Sequence, residues 1–155
     1  MQLTEILRPD CIRVPLAGQD KRSAVEELVD LLAERGRIGD AEAMKQAIWQ
    51  REATRTTGIG HGLAIPHGKS ACCEGLVMAI GKPQKPIDFQ SIDGRPVSVI
   101  FLLASPIDQT GPHIQALAKI SRILCRADVR GAIFTATDAQ TIYDLIAREE
   151  KVGVQ

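Results

Sequence analysis

No apolar run in this sequence approaches the roughly 20 residues that a membrane span requires. Its opening, Met1-Gln2-Leu3-Thr4-Glu5, lacks the basic and apolar regions of a signal peptide, so the expected compartment is the cytoplasm, with no direct membrane insertion. The 19 basic and 19 acidic residues cancel and no Lys/Arg cluster forms, which argues against nucleic acid as a partner and leaves protein partners open. Four cysteines, Cys11, Cys72, Cys73 and Cys125, show no Cys-x-x-Cys spacing, which speaks against a zinc ribbon or disulfide framework and for reduced, partly buried thiols. No i, i+4 histidine pair and no Cys/His spacing supports a metal centre, and no cofactor is expected. A hydrolase triad is equally unsupported, because no serine or cysteine sits in a nucleophile-elbow pattern. Repeats and low-complexity segments are absent too.

What the chain has is 155 residues, 45% of them hydrophobic, enough to bury a core as one domain over residues 1–155. Residues 1–20 hold a short apolar patch, Leu3, Ile6 and Leu7, and read as a lead-in without assigned structure. Ser23-Ala24-Val25-Glu26 matches a capping box, and Val25, Leu28, Val29 and Leu32 then recur at helical spacing until Gly36. Asp40 suits the N-cap of a second helix running to about Glu52. The runs 76–80 and 97–104 are β-branched and apolar nearly throughout, as strands covered on both faces are. The proline-punctuated connector between them, 82–89, is expected to pass over the surface before a turn at Asp93-Gly94. A helix follows Ser105-Pro106, with Gly111 as N-cap and Pro112 at its first position, which puts His113 in the first turn. Two more helices close the chain, one after Asp128 and one opened by the capping box Thr137-Asp138-Ala139-Gln140. Helices at both ends around apolar strands give an α/β fold, a sheet covered by helices on both faces.

The most constrained stretch is Thr56 to Lys69, which holds four of the 13 glycines, two of the three histidines and a proline. Glycine allows positive φ or close approach, whereas proline fixes φ and pushes the residue before it into an extended conformation. Leu63-Ala64-Ile65 therefore reads as a strand that stops at Pro66, with His67 displayed just past its end. Both His67 and His113 follow strands, where open α/β sheets place ligand sites.

A histidine at a helix start feels the positive end of the dipole, which favours the neutral ring, and free backbone N–H groups there suit an anion. Arg51, delivered by the second helix to the door of the glycine-rich stretch, reads either as a solvated helix-end charge or as a group aimed at an anion, and its position favours the second. Together with a nucleophilic His67 these features suit phosphoryl transfer, in which the protein positions groups and stabilises charge. Taken singly, each has a plainer reading: a histidine beside glycines as a turn residue, His113 as a helix-start residue. His61, between Gly60 and Gly62, reads as a residue tolerating unusual φ/ψ, and Lys69 as a surface charge at the rim.

Arg51-Glu52, Thr57-Gly58-Ile59-Gly60, Gly62-Leu63-Ala64-Ile65-Pro66-His67-Gly68-Lys69, Asp108-Gln109-Thr110 and His113-Ile114-Gln115-Ala116-Leu117 together resemble the IIA domain of the bacterial phosphoenolpyruvate-dependent phosphotransferase system, in its fructose, mannitol and nitrogen-regulatory branch. The resemblance spans nearly the whole chain. It implies a mixed sheet flanked by helices on both faces, with His67 matching the histidine that accepts a phosphoryl group from the phosphocarrier HPr. It implies further that His113 assists at the phosphoryl group and that Arg51 stabilises phosphate. At His61 the nitrogen-regulatory members usually carry asparagine. A chain of this length has no room for the IIB and membrane IIC parts that sugar transport needs, so it looks most like the nitrogen-regulatory IIA protein, whose phosphorylation state controls partner proteins. The alternative is a stand-alone fructose/mannitol-type IIA subunit that passes phosphate to a separate IIB/IIC permease.

Overall fold

A computed structural model describes residues 1–152. In chain order it contains α1 (Leu3–Ile6), β1 (Leu7–Leu16), α2 (Lys21–Glu34), α3 (Ala41–Thr54), β2 (Gly58–Gly60), β3 (Leu63–Ala64) and β4 (His67–Lys69). These are followed by β5 (Val77–Pro83), β6 (Val99–Ser105), α4 (Thr110–Leu124), α5 (Ala127–Thr135) and α6 (Ala139–Val152).

One mixed sheet runs in the order β1-β5-β6-β3-β2, with β4 also paired to β6. β1 lies parallel to β5, β5 antiparallel to β6, and β3 and β4 both parallel to β6. Alternating side chains of the two central strands split the core. Met78, Ile80, Val99, Phe101 and Leu103 face α4, α5 and α6, while Val77, Ala79, Ile100, Leu102 and Ala104 face α2 and α3. Both faces are covered, which is why these strands read as continuous apolar runs.

The lead-in segment has more structure than the sequence suggests. It forms α1 and the ten-residue strand β1, which buries Leu7, Cys11, Ile12 and Leu16. Pro9 and Pro15 interrupt the apolar pattern, and an edge strand tolerates them because its outward N–H groups need no ladder partner. The connector 82–89 likewise does not merely cross the surface: Ile87 pairs with Val97, and Ile87 and Phe89 are buried in the core beneath α2 and α3.

The two expected capping boxes shift by three residues or fewer. Asp20 caps α2 by accepting from Ser23 N at 2.7 Å, so Ser23 is the third helical residue rather than the cap. Asp138 plays the same part for α6 through Thr141 N at 2.8 Å. At α2 Asp20 and Ser23 complete the reciprocal pair that the serine/threonine-to-glutamate pattern would have made, Ser23 Oγ accepting from Asp20 N at 3.3 Å, whereas at α6 Thr141 donates to Asp138 through both its N–H and its hydroxyl. Asp40 caps α3 as expected, accepting from Ala43 N at 3.1 Å. All four cysteines carry free thiols. No helix among the described residues is long and apolar enough to cross a membrane.

Candidate active site

The glycine-rich stretch begins where Glu52 anchors it. Its buried carboxylate accepts from Thr57 N at 3.0 Å and Thr57 Oγ1 at 2.6 Å and pairs with Lys21 Nζ at 2.6 Å. Burial pulls the Glu52 pKa upward, but the hydrogen bonds from Lys21 and Thr57 outweigh it and leave the group below its ordinary value. Next comes a turn of three successive left-handed residues, Gly60 at φ 97°, His61 at φ 57° and Gly62 at φ 80°. Asp93 accepts from His61 N at 2.9 Å and Arg95 N at 3.0 Å, binding this turn to the one at Gly94. A Cβ on Gly62 would sit 3.3 Å from the Phe134 ring, so both φ and space call for glycine there. His61 is exposed at this turn, and the six positions from it to His67 run along the sheet at roughly 3.3 Å each. The structure therefore holds His61 at one end of the strand column and His67 at the other.

Pro66 does not simply end the strand, as its sequence position suggests. His67 is opposite Leu103 in the same register that puts Leu63 opposite Val99, so β3 and β4 are one line along β6, broken where Pro66 has no N–H to give. The Pro66 carbonyl still accepts from Leu103 N at 3.0 Å. At the break the Ile65 carbonyl turns to His67 and lies 2.8 Å from its Nδ1. A carbonyl can only accept, so Nδ1 carries the proton and the Nε2 lone pair is free.

α3 rides directly on β4. A Cβ on Gly68 would stand 3.0 Å from the backbone nitrogen of Ile48, so only glycine permits this approach. Arg51 is in the last turn of α3 and its Nη1 donates to the Arg55 carbonyl at 3.0 Å, one of the five N–H donors of the guanidinium. Gly68→Ala is expected to lower stability by about 2 kcal/mol, because the helix backbone rather than a flexible side chain must retreat. Urea denaturation checks this, and a loss below about 0.5 kcal/mol would show that the two backbones have room to part.

On the other side, α4 starts earlier than the sequence suggests. Gln109 is the N-cap, Pro112 is the third helical residue, and His113 N already bonds Gln109 O at 3.1 Å. Proline is tolerated there because first-turn N–H groups have no intrahelical partner. His113 is 4% exposed and so deeply packed, contrary to expectation for a first-turn residue. Its Nδ1 meets the hydroxyl of Ser105, a fully buried residue at the end of β6. The rings of His67 and His113 are 5.3 Å apart between centroids and tilted by 59°. Lys69 reaches from β4 to donate to Thr110 Oγ1 at 3.2 Å.

Both imidazoles are shifted toward the neutral form. Burial lowers the pKa of His67, with Arg51 and Lys69 adding to the effect against the Ile65 carbonyl and Glu52. Burial, followed by the charges of His67 and Lys69, pushes His113 down to about 4. The structure thus brings His67 and His113 together, sets Arg51 where its charge is felt at His67, and leaves His61 outside. Ser105, Glu52 and Lys69 join the site without having been singled out for it. Ser105 left a trace in the sequence as the polar end of an apolar run next to proline, and Lys69 as a charge at the rim. No group of three His, Cys, Asp or Glu among the described residues forms a metal-binding cluster.

Comparison with known proteins places the chain in a family. The family model described as phosphoenolpyruvate-dependent sugar phosphotransferase system, EIIA 2, matches residues 5–149. A nitrogen regulatory protein of Bradyrhizobium diazoefficiens is 37% identical over 148 residues, 95% of each chain. A fructose-specific EIIABC component of Bacillus subtilis is 32% identical over 151 residues; they are 97% of this chain and 24% of that protein, so the chain spans about a quarter of that relative. Among solved structures, the nitrogen regulatory protein IIA-Ntr from Neisseria meningitidis superimposes with a TM-score of 0.85 at 30% identity, covering 92% of this chain and 97% of the other. The chain belongs to the EIIA type 2 family of the phosphoenolpyruvate-dependent sugar phosphotransferase system.

Proposed function

We propose that the chain acts as a single IIA domain whose His67 accepts a phosphoryl group on Nε2 from an HPr-type phosphocarrier, and that its phosphorylation state controls the docking of regulatory target proteins. The observation that carries this reading is the pairing of His67 Nδ1 with the Ile65 carbonyl, which aims a neutral Nε2 lone pair beside a second neutral imidazole. In the transfer step the Nε2–phosphorus bond forms while the bond from phosphorus to the donor's leaving atom breaks, the electron pair departing with that atom. The Nδ1 proton stays on the ring, and the Ile65 carbonyl stabilises the positive charge that develops there.

His113 would act as a hydrogen-bond donor. The buried Ser105 hydroxyl needs an acceptor, and His113 Nδ1 is its partner among the described residues. If the hydroxyl donates to Nδ1, the ring proton sits on Nε2, ready for a phosphoryl oxygen. Arg51 has four further N–H donors with which to neutralise phosphate. The regulatory branch is favoured by the 37% identity to a nitrogen regulatory protein. A fructose-specific EIIA component of Haloferax volcanii, 35% identical over 82% of each chain, favours the second reading, a IIA subunit serving a separate IIB/IIC permease.

Incubation with phosphoenolpyruvate, Enzyme I and HPr is expected to add one acid-labile phosphoryl group, read by intact mass, and His67→Ala is expected to add none. Equal labelling of the variant would remove His67 from the reaction.

A further inference from the structure

β4 and α4 meet in two matched contacts. His67 and Lys69 are two residues apart on one strand and so project to the same face, while Gly68 between them faces α3. His113 and Thr110 are three residues apart on α4 and so share a helix face. The strand and helix are registered so that ring meets ring at 67 and 113 while ammonium meets hydroxyl at 69 and 110.

Stability does not explain the second contact. Lys69 and Thr110 are both exposed, and a hydrogen bond in that setting adds little to the fold. The charges bearing on His67 are Arg51, Glu52 and Lys69. Glu52 is committed to Lys21 and Thr57, and Arg51 is partly committed to the Arg55 carbonyl. Lys69 is the cation that bears on both rings, and its hydroxyl partner is a weak anchor, readily exchanged for a charged oxygen.

On the reading that His67 is the phosphoryl acceptor, we propose that Lys69 is a phosphoryl-binding residue, which leaves the Thr110 hydroxyl for a phosphoryl oxygen as the group arrives on His67. The ammonium neither gives nor takes a proton; it neutralises charge as the nitrogen–phosphorus bond forms, and the Thr110 hydroxyl becomes a second donor to the same group.

The test compares Lys69→Met and Lys69→Arg with wild type. Labelling by phosphoenolpyruvate, Enzyme I and HPr is followed in time by intact mass, and the His67 ring protons are titrated by NMR in the unphosphorylated protein. Lys69→Met is expected to slow labelling about ten- to a hundredfold, the usual effect of losing one charge-assisted contact, and Lys69→Arg to recover most of it. The His67 pKa should rise in Lys69→Met and stay low in Lys69→Arg, which reports that the charge at position 69 reaches the ring; the labelling rates then decide whether that charge serves the phosphoryl group. If wild type and Lys69→Met label at the same rate, or if Lys69→Arg is as slow as Lys69→Met, this proposal is overturned while the role of His67 stands. A wild-type protein that takes no label overturns both.

Discussion

Replacing Glu52 with alanine is expected to destabilise the fold by about 3 kcal/mol, the low end for removing one member of a buried, hydrogen-bonded ion pair. The Glu52 side chain is 6% exposed, and three donors converge on it: Lys21 Nζ, Thr57 N and Thr57 Oγ1. Alanine leaves a largely buried ammonium and a buried backbone N–H without partners, and the desolvation of each is then uncompensated. Lys21 keeps its position over the Phe89 ring, 5.4 Å from the centroid, which limits the loss. Glu52→Gln should cost less, because the amide oxygen can still accept from Thr57. Chemical denaturation with an unchanged m-value checks both variants. A loss under 1 kcal/mol for Glu52→Ala would mean that the three elements it joins are held by apolar packing alone. Without its charge, which favours the protonated ring, the His67 pKa should move further down.

Acidification should expose His113. In the unfolded chain its imidazole takes up a proton near 6.5, and in the fold only near 4. Between those values the unfolded state binds more protons, so stability rises with pH across the window and falls as the solution is acidified through it. At about 1.4 kcal/mol per pH unit the loss reaches about 3 kcal/mol by the acid end. His67, also lowered, adds to the same slope. Carboxylates with lowered values, such as Glu52, lose their contribution only as pH falls below their unfolded range, so they act at the acid end of the window. His113→Asn removes one imidazole and leaves the rest in place. Its unfolding free energy should therefore change with pH between 6.5 and 4 by about 2 to 3 kcal/mol less than wild type, measured by urea titration. Parallel curves would show that His113 titrates alike in both states.

The central strands announce themselves in the sequence because burial on both faces removes the polar alternation that would blur them, and Asp40 marks a helix start because its carboxylate has one obvious job. β1 stays hidden because an edge strand tolerates proline and charge, which look like breakers when neighbours are unknown. The shift of α4 has a similar origin: proline favours the first helical position but is tolerated throughout the first turn, and only the preceding loop decides. His67 and His113 are legible as site residues through glycine, proline and strand-end context, whereas their pairing depends on a register between β4 and α4 that no local pattern encodes. Ser105, Lys69 and Glu52 are ordinary residue types whose parts come from what lies across from them.

The break at Pro66 has one more consequence. The group that fixes the His67 tautomer is a backbone carbonyl only two residues earlier in the same chain, so it is supplied by the peptide itself and by no distant side chain. Side-chain substitution cannot delete it, and drift elsewhere in the fold can change the surroundings of His67 without turning its ring around. The Ile-Pro-His tripeptide is in this sense a portable reagent: moved to the same place on another parallel strand pair, it would carry its own orientation with it.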